Sequence, residues 1–321
     1  MSRSTRPHPV VVITGASSGI GRQTALTYAR RGARLVLASR SLPALETVAA
    51  QCRSSGAPTL VVTADVVEER QVRLLAAAAV AEYGRIDVWV GNAGVFSYGA
   101  FEHTPPRVFR HVIETNLMGQ INGARAVLPY FRKQGEGALV LVGSLYSRVS
   151  SPGISPYITS KWGLLGFAES LRAELRETPA IRVRVVLPST IDTPIYQHAA
   201  NYTGRTVHPL PPAAAPSRVA RAIVRAPGRR RFASSVGQLQ RGVIPVHRFV
   251  PGVYDTLTRF AKNRLELRGD AAELSDGTVF DAPTDAQPVT GGWRARGPRI
   301  ALALLAAGSV AALAGRSSRP R

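Results

Sequence analysis

The sequence has little cysteine, little lysine and few acidic residues. Its 321 residues include one cysteine, Cys52, which excludes an intrachain disulfide. It has 41 Lys and Arg residues against 20 Asp and Glu residues, a formal net charge of +21. Because only Lys133, Lys161 and Lys262 are lysines, nearly all the positive charge is arginine. No cysteine or histidine spacing typical of a metal site occurs, so no metal is predicted.

The amino terminus has no apolar stretch typical of a signal peptide, and we expect residues 1–8 to be frayed. Positive charge is dense over residues 194–264, most of all at Arg229-Arg230-Arg231. Such a surface attracts anionic cofactors, nucleic acid or acidic lipid, or it is simply a solvated arginine-rich surface. No helix-turn-helix, finger or aromatic RNA-binding motif accompanies the charge, so a nucleic-acid partner is not expected.

A strand, a glycine turn, a helix and a second strand follow one another near the amino terminus. Val10–Ile13 is a β-branched apolar run typical of a buried parallel strand, Arg22–Gly32 has helical character, and Arg34–Ala38 is a second strand. The turn before the helix carries three glycines, Gly15, Gly19 and Gly21. Glycines allow a pyrophosphate to approach the backbone, and a helix start offers unpaired N–H groups to phosphates. The unit therefore predicts dinucleotide binding.

Tyr157 and Lys161 lie four residues apart, and Ser144 lies thirteen residues upstream of the tyrosine. If the stretch is helical, the ammonium and the phenol share a face. A neighbouring cation favours phenolate, so we expect the Tyr157 pKa to lie below its ordinary value of about 10. Such a phenol passes a proton to or from a substrate oxygen, which Ser144 would hold by a hydrogen bond. Taken alone, the pair is more often a solvated helix face.

Together these motifs resemble the short-chain dehydrogenase/reductase family in order and spacing over about residues 8 to 195. The matching elements are Thr14 to Gly21, Asp65 after the strand Thr59–Thr63, Asn92-Ala93-Gly94 after the strand Asp87–Val90, Asn116, Ser144, Tyr157 with Lys161, and Pro188 to Thr193. The resemblance implies an α/β fold, a Rossmann-like doubly wound parallel sheet in a single domain with a C-terminal extension. Alternating strands and helices over residues 8–190 predict the same sheet.

By this resemblance, Asn116, Ser144, Tyr157 and Lys161 form a catalytic tetrad. Tyr157 would be the general acid for carbonyl reduction and the base for alcohol oxidation, and Ser144 would polarise the substrate oxygen. Lys161 would hold the nicotinamide ribose, and Asn116 would position a water that links Lys161 to solvent.

The resemblance also implies a set of cofactor-binding residues. They are Gly15, Ser17, Ser18, Gly19, Ile20, Gly21, Arg40, Asp65, Val66, Asn92, Ala93, Gly94, Tyr157, Lys161, Ser189 and Thr193. Asp65 would contact the adenine, and Thr193 would hold the carboxamide. Ser189 departs from the family pattern, which usually has glycine after the proline. Because serine is less free than glycine at positive φ, this departure bears on the local backbone near the nicotinamide, though not on the cofactor itself.

The end of the second strand predicts NADP(H) rather than NAD(H). It contains Arg40 and no acid, whereas family members that use NAD tend to place an acid there for the ribose 2′-OH. Arg40 would pair with a 2′-phosphate, unless it is merely a surface residue.

The predicted function is an NADP(H)-dependent oxidoreductase that interconverts a carbonyl and an alcohol. The alternative is a catalytically inactive NADP(H)-binding sensor or scaffold protein. The expected partners are a small-molecule carbonyl or alcohol and, by resemblance, further copies of the chain in a homo-oligomer.

The sequence predicts a family domain over residues 9–267, in which 194–264 form a basic lid and C-terminal helices. Tyr196, His198 and Tyr202 are lid residues that line the pocket or pack the lid. The apolar, basic stretch Val243–Leu267 would cover the substrate site, form a dimer contact or lie on a membrane. Residues 268–298 are expected to be a mostly irregular linker.

Residues 299–321 form an apolar C-terminal segment with fifteen uncharged residues, 300–314. As a helix these would span about 22 Å, short of a hydrocarbon core of about 30 Å. A membrane anchor, an interfacial or partner-packed helix and a disordered tail all stay open. The expected location is cytoplasmic, with membrane attachment if this segment is an anchor.

Overall fold

A computed structural model describes residues 8–237, 240–267 and 270–294. Its strands are β1 (Val10–Thr14), β2 (Arg34–Ser39), β3 (Thr59–Thr63), β4 (Val88–Gly91), β5 (Ser97–Tyr98), β6 (Gly137–Val142), β7 (Ile181–Pro188), β8 (Ala200–Asn201) and β9 (Ala233–Val236). Its helices are α1 (Gly19–Ala29), α2 (Leu42–Ser54), α3 (Glu69–Tyr83), α4 (Pro106–Ile113), α5 (Gly119–Gln134), α6 (Ser155–Glu174), α7 (Pro216–Arg225), α8 (Gln240–Phe249) and α9 (Pro251–Ala261). Two π-helical turns, Glu114–Met118 and Lys262–Glu266, follow α4 and α9.

Seven parallel strands form one sheet in the order β3-β2-β1-β4-β6-β7-β9. Val11 of β1 pairs with Leu35 on one side and with Val88 on the other, so β1 is central and fully buried. The chain runs outward from β1 to β3 and then returns to β4. This reversal opens a crevice at the carboxyl ends of β1 and β4, where open α/β sheets bind ligands. The predicted Rossmann-like fold is confirmed.

Helices cover both faces of the sheet and produce two hydrophobic cores. On one face, Ala25 of α1, Val48 of α2 and Ile223 of α7 are completely buried against the strands. On the other face, Leu75 of α3 and Leu164 of α6 are equally buried. Burying such a side chain stabilises the fold by about 1.5–3 kcal/mol, so these two layers hold the crevice in place.

Most predicted elements match the structure, with informative differences at their ends. Helix α1 begins at Gly19 rather than at Arg22, because Gly19 and Gly21 of the glycine motif already form part of the helix. The stretch predicted as helical from Val243 onward forms two helices and a π-helical turn. They separate at Pro251, which starts α9 and has no backbone N–H to continue α8.

Residues 270–294 contain no regular helix or strand, but they lie against the domain. Isolated bridges join Ser275 to Asn201 and Ala271 to Arg205, and Val279 is completely buried. We call residues 278–293 the strap. Its backbone runs over the side of the sheet that carries the crevice.

Within the described residues, no helix is long and apolar enough to cross a membrane. The segment 299–321, for which an anchor is one of the predictions, lies outside the described residues, as do residues 1–7.

Candidate active site

Tyr157 and Ser144 lie close together because β6 ends and α6 begins at the same edge of the sheet. Ser144 follows β6, and its hydroxyl accepts a hydrogen bond from the Tyr146 N–H at 3.2 Å, which fixes the turn. Tyr157 lies in the first turn of α6 and is 9% exposed, and the Ser144 side chain is near enough to lower the pKa of its phenol. The phenol and the hydroxyl are therefore positioned to share one substrate oxygen.

Lys161 lies one turn after Tyr157 on α6, and both line the same cavity. Its Nζ donates to the Val142 carbonyl oxygen at 3.0 Å and lies 5.5 Å from the centre of the Tyr157 ring. Burial lowers the pKa of Lys161 to about 8. The predicted shared helix face is confirmed, and the amine is close to its titration point at neutral pH.

The expected fall in the Tyr157 pKa is wrong for this structure. Burial raises the pKa of Tyr157 to about 12, and the hydrogen bond with Ser144 only partly opposes that effect. The ring packs against Phe96, with centroids 4.2 Å apart, so the desolvated phenolate is disfavoured. Tyr157 is therefore a neutral proton donor at physiological pH.

Asn116 is completely buried in the π-helical turn before α5. Its side chain accepts from the Val95 N–H at 2.8 Å, and it donates to the Val95 carbonyl at 2.9 Å and to Ser160 Oγ at 3.2 Å. Ser160 Oγ in turn donates to the Tyr157 carbonyl at 2.7 Å. Asn116 thus ties the first turn of α6 to the loop after β4, without lining the cavity.

The glycine turn after β1 is packed too closely for side chains. Gly15 has φ of +66°, and a Cβ there would lie 2.8 Å from the Ala93 Cα. A Cβ at Gly21 would lie 2.0 Å from the Gly15 carbonyl oxygen. Asn92 Nδ2 donates to the carbonyl oxygens of Thr14 and Gly15, at 3.0 and 3.1 Å. The turn and the end of β4 therefore form one rigid wall.

The serine at position 189 does not disturb the local backbone. Among the described residues, His8 is the only residue other than glycine with positive φ. The Ser189 N–H donates to the Val236 carbonyl at 2.9 Å, so this position simply extends the pairing of β7 with β9. Serine fits there without strain because the chain is not in the left-handed region.

One cavity of about 1000 Å³ brings most of the predicted site residues together. Its walls include Gly15, Ser17, Ser18, Gly19, Ile20, Arg40, Asp65, Val66, Asn92, Ala93, Gly94, Ser144, Tyr157, Lys161, Ser189 and Thr193. The other two predicted residues, Gly21 and Asn116, lie behind the wall and shape it. Tyr196 and His198 also line the cavity. Tyr202 does not, because its hydroxyl donates to Asp276.

Arg40 lines the cavity and also holds the strap. Its guanidinium donates to the carbonyl oxygens of Thr278, Val279 and Phe280, at 3.0, 3.2 and 2.6 Å. The strap itself, through Thr278, Ala282, Pro283, Asp285 and Gln287, forms part of the cavity wall. Arg40 is therefore not a plain surface residue, because its guanidinium borders the cavity and holds the strap at the same time.

Further contacts fix the strap over the glycine turn. The Gly19 N–H donates to the Pro288 carbonyl at 3.2 Å, and Arg22 Nη1 donates to the Gln287 carbonyl at 2.8 Å. The Trp293 indole donates to the Thr193 carbonyl at 3.1 Å. These contacts place the strap as the outer wall of the crevice.

Aromatic side chains that line one end of the cavity were not predicted from the sequence. Phe96 lies 4.8 Å from Tyr98 and 6.0 Å from Tyr196 between ring centroids. Tyr146 meets the Tyr157 ring edge to face at 6.3 Å. Phe96, Tyr98 and Tyr146 follow the Asn92–Gly94 and Ser144 motifs closely in the sequence, and that proximity was the available signal. Their rings give this end of the cavity an apolar lining.

Comparison with known proteins agrees with this geometry. The sequence profile of the family described as short chain dehydrogenase matches residues 9–202. The uncharacterized oxidoreductase YxnA of Bacillus subtilis is 37% identical over 195 residues, which are 60% of this chain and 55% of that protein. Dehydrogenase/reductase SDR family member 7B of Bos taurus is 35% identical over 61% of this chain and 62% of its own length. The match thus spans less than two thirds of either relative.

Two solved structures share the architecture. A short chain dehydrogenase/reductase from Burkholderia phymatum in complex with NAD superposes with a TM-score of 0.70, at 25% identity, covering 77% of this chain and 95% of that one. An alcohol dehydrogenase from Thermococcus sibiricus complexed with 5-hydroxy-NADP gives a TM-score of 0.63, at 26% identity, covering 71% and 96%.

Proposed function

The chain belongs to the short-chain dehydrogenase family, and on that premise we propose that it is an NADP(H)-dependent oxidoreductase that interconverts a carbonyl and an alcohol. One observation carries the proposal: Tyr157, Ser144 and Lys161 converge on the cavity that the glycine turn also lines. When bound, a nicotinamide cofactor supplies or accepts the hydride.

The walls of the cavity fit a dinucleotide. Gly15 and Gly19 line the cavity beside the start of α1, and the start of a helix favours anions such as phosphates. All five of Asp65, Val66, Tyr157, Lys161 and Thr193 line the cavity; Asp65 and Val66 would bind the adenosine, and the other three would surround the nicotinamide end. We propose NADP(H) rather than NAD(H) because the end of β2 offers the Arg40 guanidinium and no carboxylate.

Tyr157 would act as the general acid in carbonyl reduction. Its raised pKa keeps the phenol protonated, so it gives its proton to the oxygen on which negative charge develops. Ser144 would donate a second hydrogen bond to that oxygen and stabilise the same charge. In the direction of alcohol oxidation the phenol would recover the proton.

Lys161 would hold the cofactor ribose and return a proton to Tyr157 after each turnover. Burial brings its pKa to about 8, so the amine can both release and regain a proton near neutral pH. Asn116 is a positioning residue in this scheme, because its amide holds Ser160 and thereby the turn that carries Tyr157.

The aromatic lining supports an apolar or amphipathic carbonyl compound as the substrate. Assembly as a homo-oligomer and attachment to a membrane through residues 299–321 stay predictions.

The test is NADPH oxidation by the purified full-length protein with a panel of aldehydes and ketones, and with NADH in parallel. Turnover with a preference for NADPH supports the proposal. Tight NADPH binding without turnover across the panel would instead favour the inactive sensor.

A further inference from the structure

We propose that the Glu266 carboxyl group is a substrate-binding group, which receives a hydroxyl group that the ketone substrate carries away from its reacting carbonyl. This inference rests on the proposed function, because it takes the same cavity as the substrate site. Glu266 would provide a polar binding group at the apolar end of the cavity.

Glu266 is held in the wall of that cavity by its own backbone. It ends the π-helical turn after α9, and its carbonyl oxygen accepts from the His208 N–H at 2.9 Å. The residue is only 4% exposed, yet it lines the cavity together with Tyr157 and Ser144. A carboxyl group so deeply buried is costly unless something hydrogen-bonds to it.

The surroundings of the carboxyl group are mostly phenols. Burial is the main cause of the raised pKa values of Tyr98, Tyr146 and Tyr196, and the charge of Glu266 adds to each. The three tyrosines therefore lie within its electrostatic reach. Tyr98, Tyr146 and Tyr196 line the same cavity as Glu266 and the catalytic phenol.

Lys262, four residues earlier in the same turn, is a cationic neighbour of the carboxyl group. Burial raises the pKa of Glu266 to about 7, and Lys262 opposes the rise. No hydrogen bond from another described residue contributes to that pKa. Near neutral pH the group is thus able either to accept or to donate a hydrogen bond toward the cavity.

This environment favours a hydroxyl group over an anion. A substrate anion would be repelled by the carboxylate. A hydroxyl group pairs with either protonation state of Glu266, and a flat apolar ring fits the lining of Phe96 and the tyrosines. The occupant we infer is therefore a hydroxylated cyclic or aromatic ketone.

The experiment compares two ketones that differ by one hydroxyl group, 4-(4-hydroxyphenyl)cyclohexanone and 4-phenylcyclohexanone. Their dissociation constants are measured by calorimetry with protein saturated with NADP⁺, which prevents reduction during the titration. The variants are Glu266→Leu, Glu266→Gln and, as a matched control, Glu273→Leu, which replaces an exposed acid outside the cavity.

We expect the unaltered protein and Glu273→Leu to bind the hydroxylated ketone about tenfold more tightly, the gain typical of a hydrogen bond to a charged group. Glu266→Leu should bring the ratio of the two constants to about one, and Glu266→Gln, whose amide keeps donor and acceptor, should retain part of it. If Glu266→Leu does not fold, a partial loss of the hydroxyl preference in Glu266→Gln tests the inference instead.

Equal affinity for the two ketones in the unaltered protein, or an unchanged ratio in both Glu266 variants, would overturn the inference. The same experiment distinguishes a failure of this inference from a failure of the proposed function. A hydroxyl preference that Glu266→Leu abolishes, in protein that never oxidises NADPH with either ketone, would uphold the binding group and count against the reductase activity.

Discussion

The guanidinium group of Arg40 donates a hydrogen bond to the carbonyl oxygen of Phe280 at 2.6 Å. These residues are 240 positions apart in the sequence, and the contact joins the end of β2 to the strap. Arg40 thus holds the outer wall of the cofactor crevice and borders the cavity at the same time. Under the proposed function, Arg40 would both bind the cofactor and hold the strap in place.

Replacing Arg40 should therefore change cofactor choice more than replacing another arginine that holds the strap. We expect Arg40→Gln to weaken NADPH binding about 10- to 100-fold and NADH binding much less, because a charged hydrogen bond to the 2′-phosphate is lost. Arg22→Gln removes a strap contact outside the cavity and should weaken both cofactors equally and slightly. Fluorescence titration measures the dissociation constants of both cofactors for the two variants and the unaltered protein, and equal losses for the two cofactors in Arg40→Gln would contradict a 2′-phosphate role.

Loosening the strap should speed the release of NADPH. Trp293→Ala removes the indole bond to Thr193 and the edge contact with Tyr196, and we expect the release rate to rise about fivefold. Leu274→Ala, at a position 65% exposed and outside the strap, is the control and should leave the rate unchanged. Stopped-flow fluorescence measures the rate of NADPH release from the unaltered protein and from the two variants. Identical release from all three proteins would mean that the strap does not confine the cofactor.

Gly21 should not tolerate a side chain, whereas Gly166 should. A methyl group at Gly21 would meet the Gly15 carbonyl oxygen, so Gly21→Ala should lower the free energy of unfolding by about 1–3 kcal/mol. Gly166 lies within α6, and a Cβ there meets nothing within 4 Å. Gly166→Ala should raise the free energy of unfolding by about 0.5–1 kcal/mol through helix propensity. Urea denaturation compares the two, and equal effects would refute the packing explanation.

The buried Lys161 should leave a signature in stability against pH. Its pKa is about 8 when folded and 10.5 ordinarily, so the unfolded chain binds more protons between these values. Stability contributed through this group therefore rises with pH across that window. In cofactor-free protein, we expect Lys161→Met to be the more stable below about pH 8, with the difference shrinking toward pH 10.5. Denaturant unfolding at several pH values checks this, and a constant difference would contradict the lowered pKa.

The sequence predicts the parts of the site that short-range patterns encode. The glycine turn, the Tyr157–Lys161 spacing and the chain order of strands and helices correctly predict the sheet and bring Tyr157, Lys161 and the glycine turn to one cavity. The position of the strap could not be predicted from the sequence. Arg40 and Gly19 donate to backbone carbonyl oxygens of distant residues, and every residue has such an oxygen whatever its side chain. The same holds for the Tyr157 pKa, which is set by burial against Phe96 and not by the neighbour four residues away.

The most direct measurement compares Tyr157→Phe with Tyr83→Phe in NADPH oxidation with a ketone that the unaltered protein reduces. Each variant loses one phenolic hydroxyl, but Tyr83 lies on α3, outside the cavity. We expect Tyr157→Phe to lower kcat at least about 100-fold while NADPH binding is retained, and Tyr83→Phe to keep its activity. Full activity in Tyr157→Phe would show that another group delivers the proton.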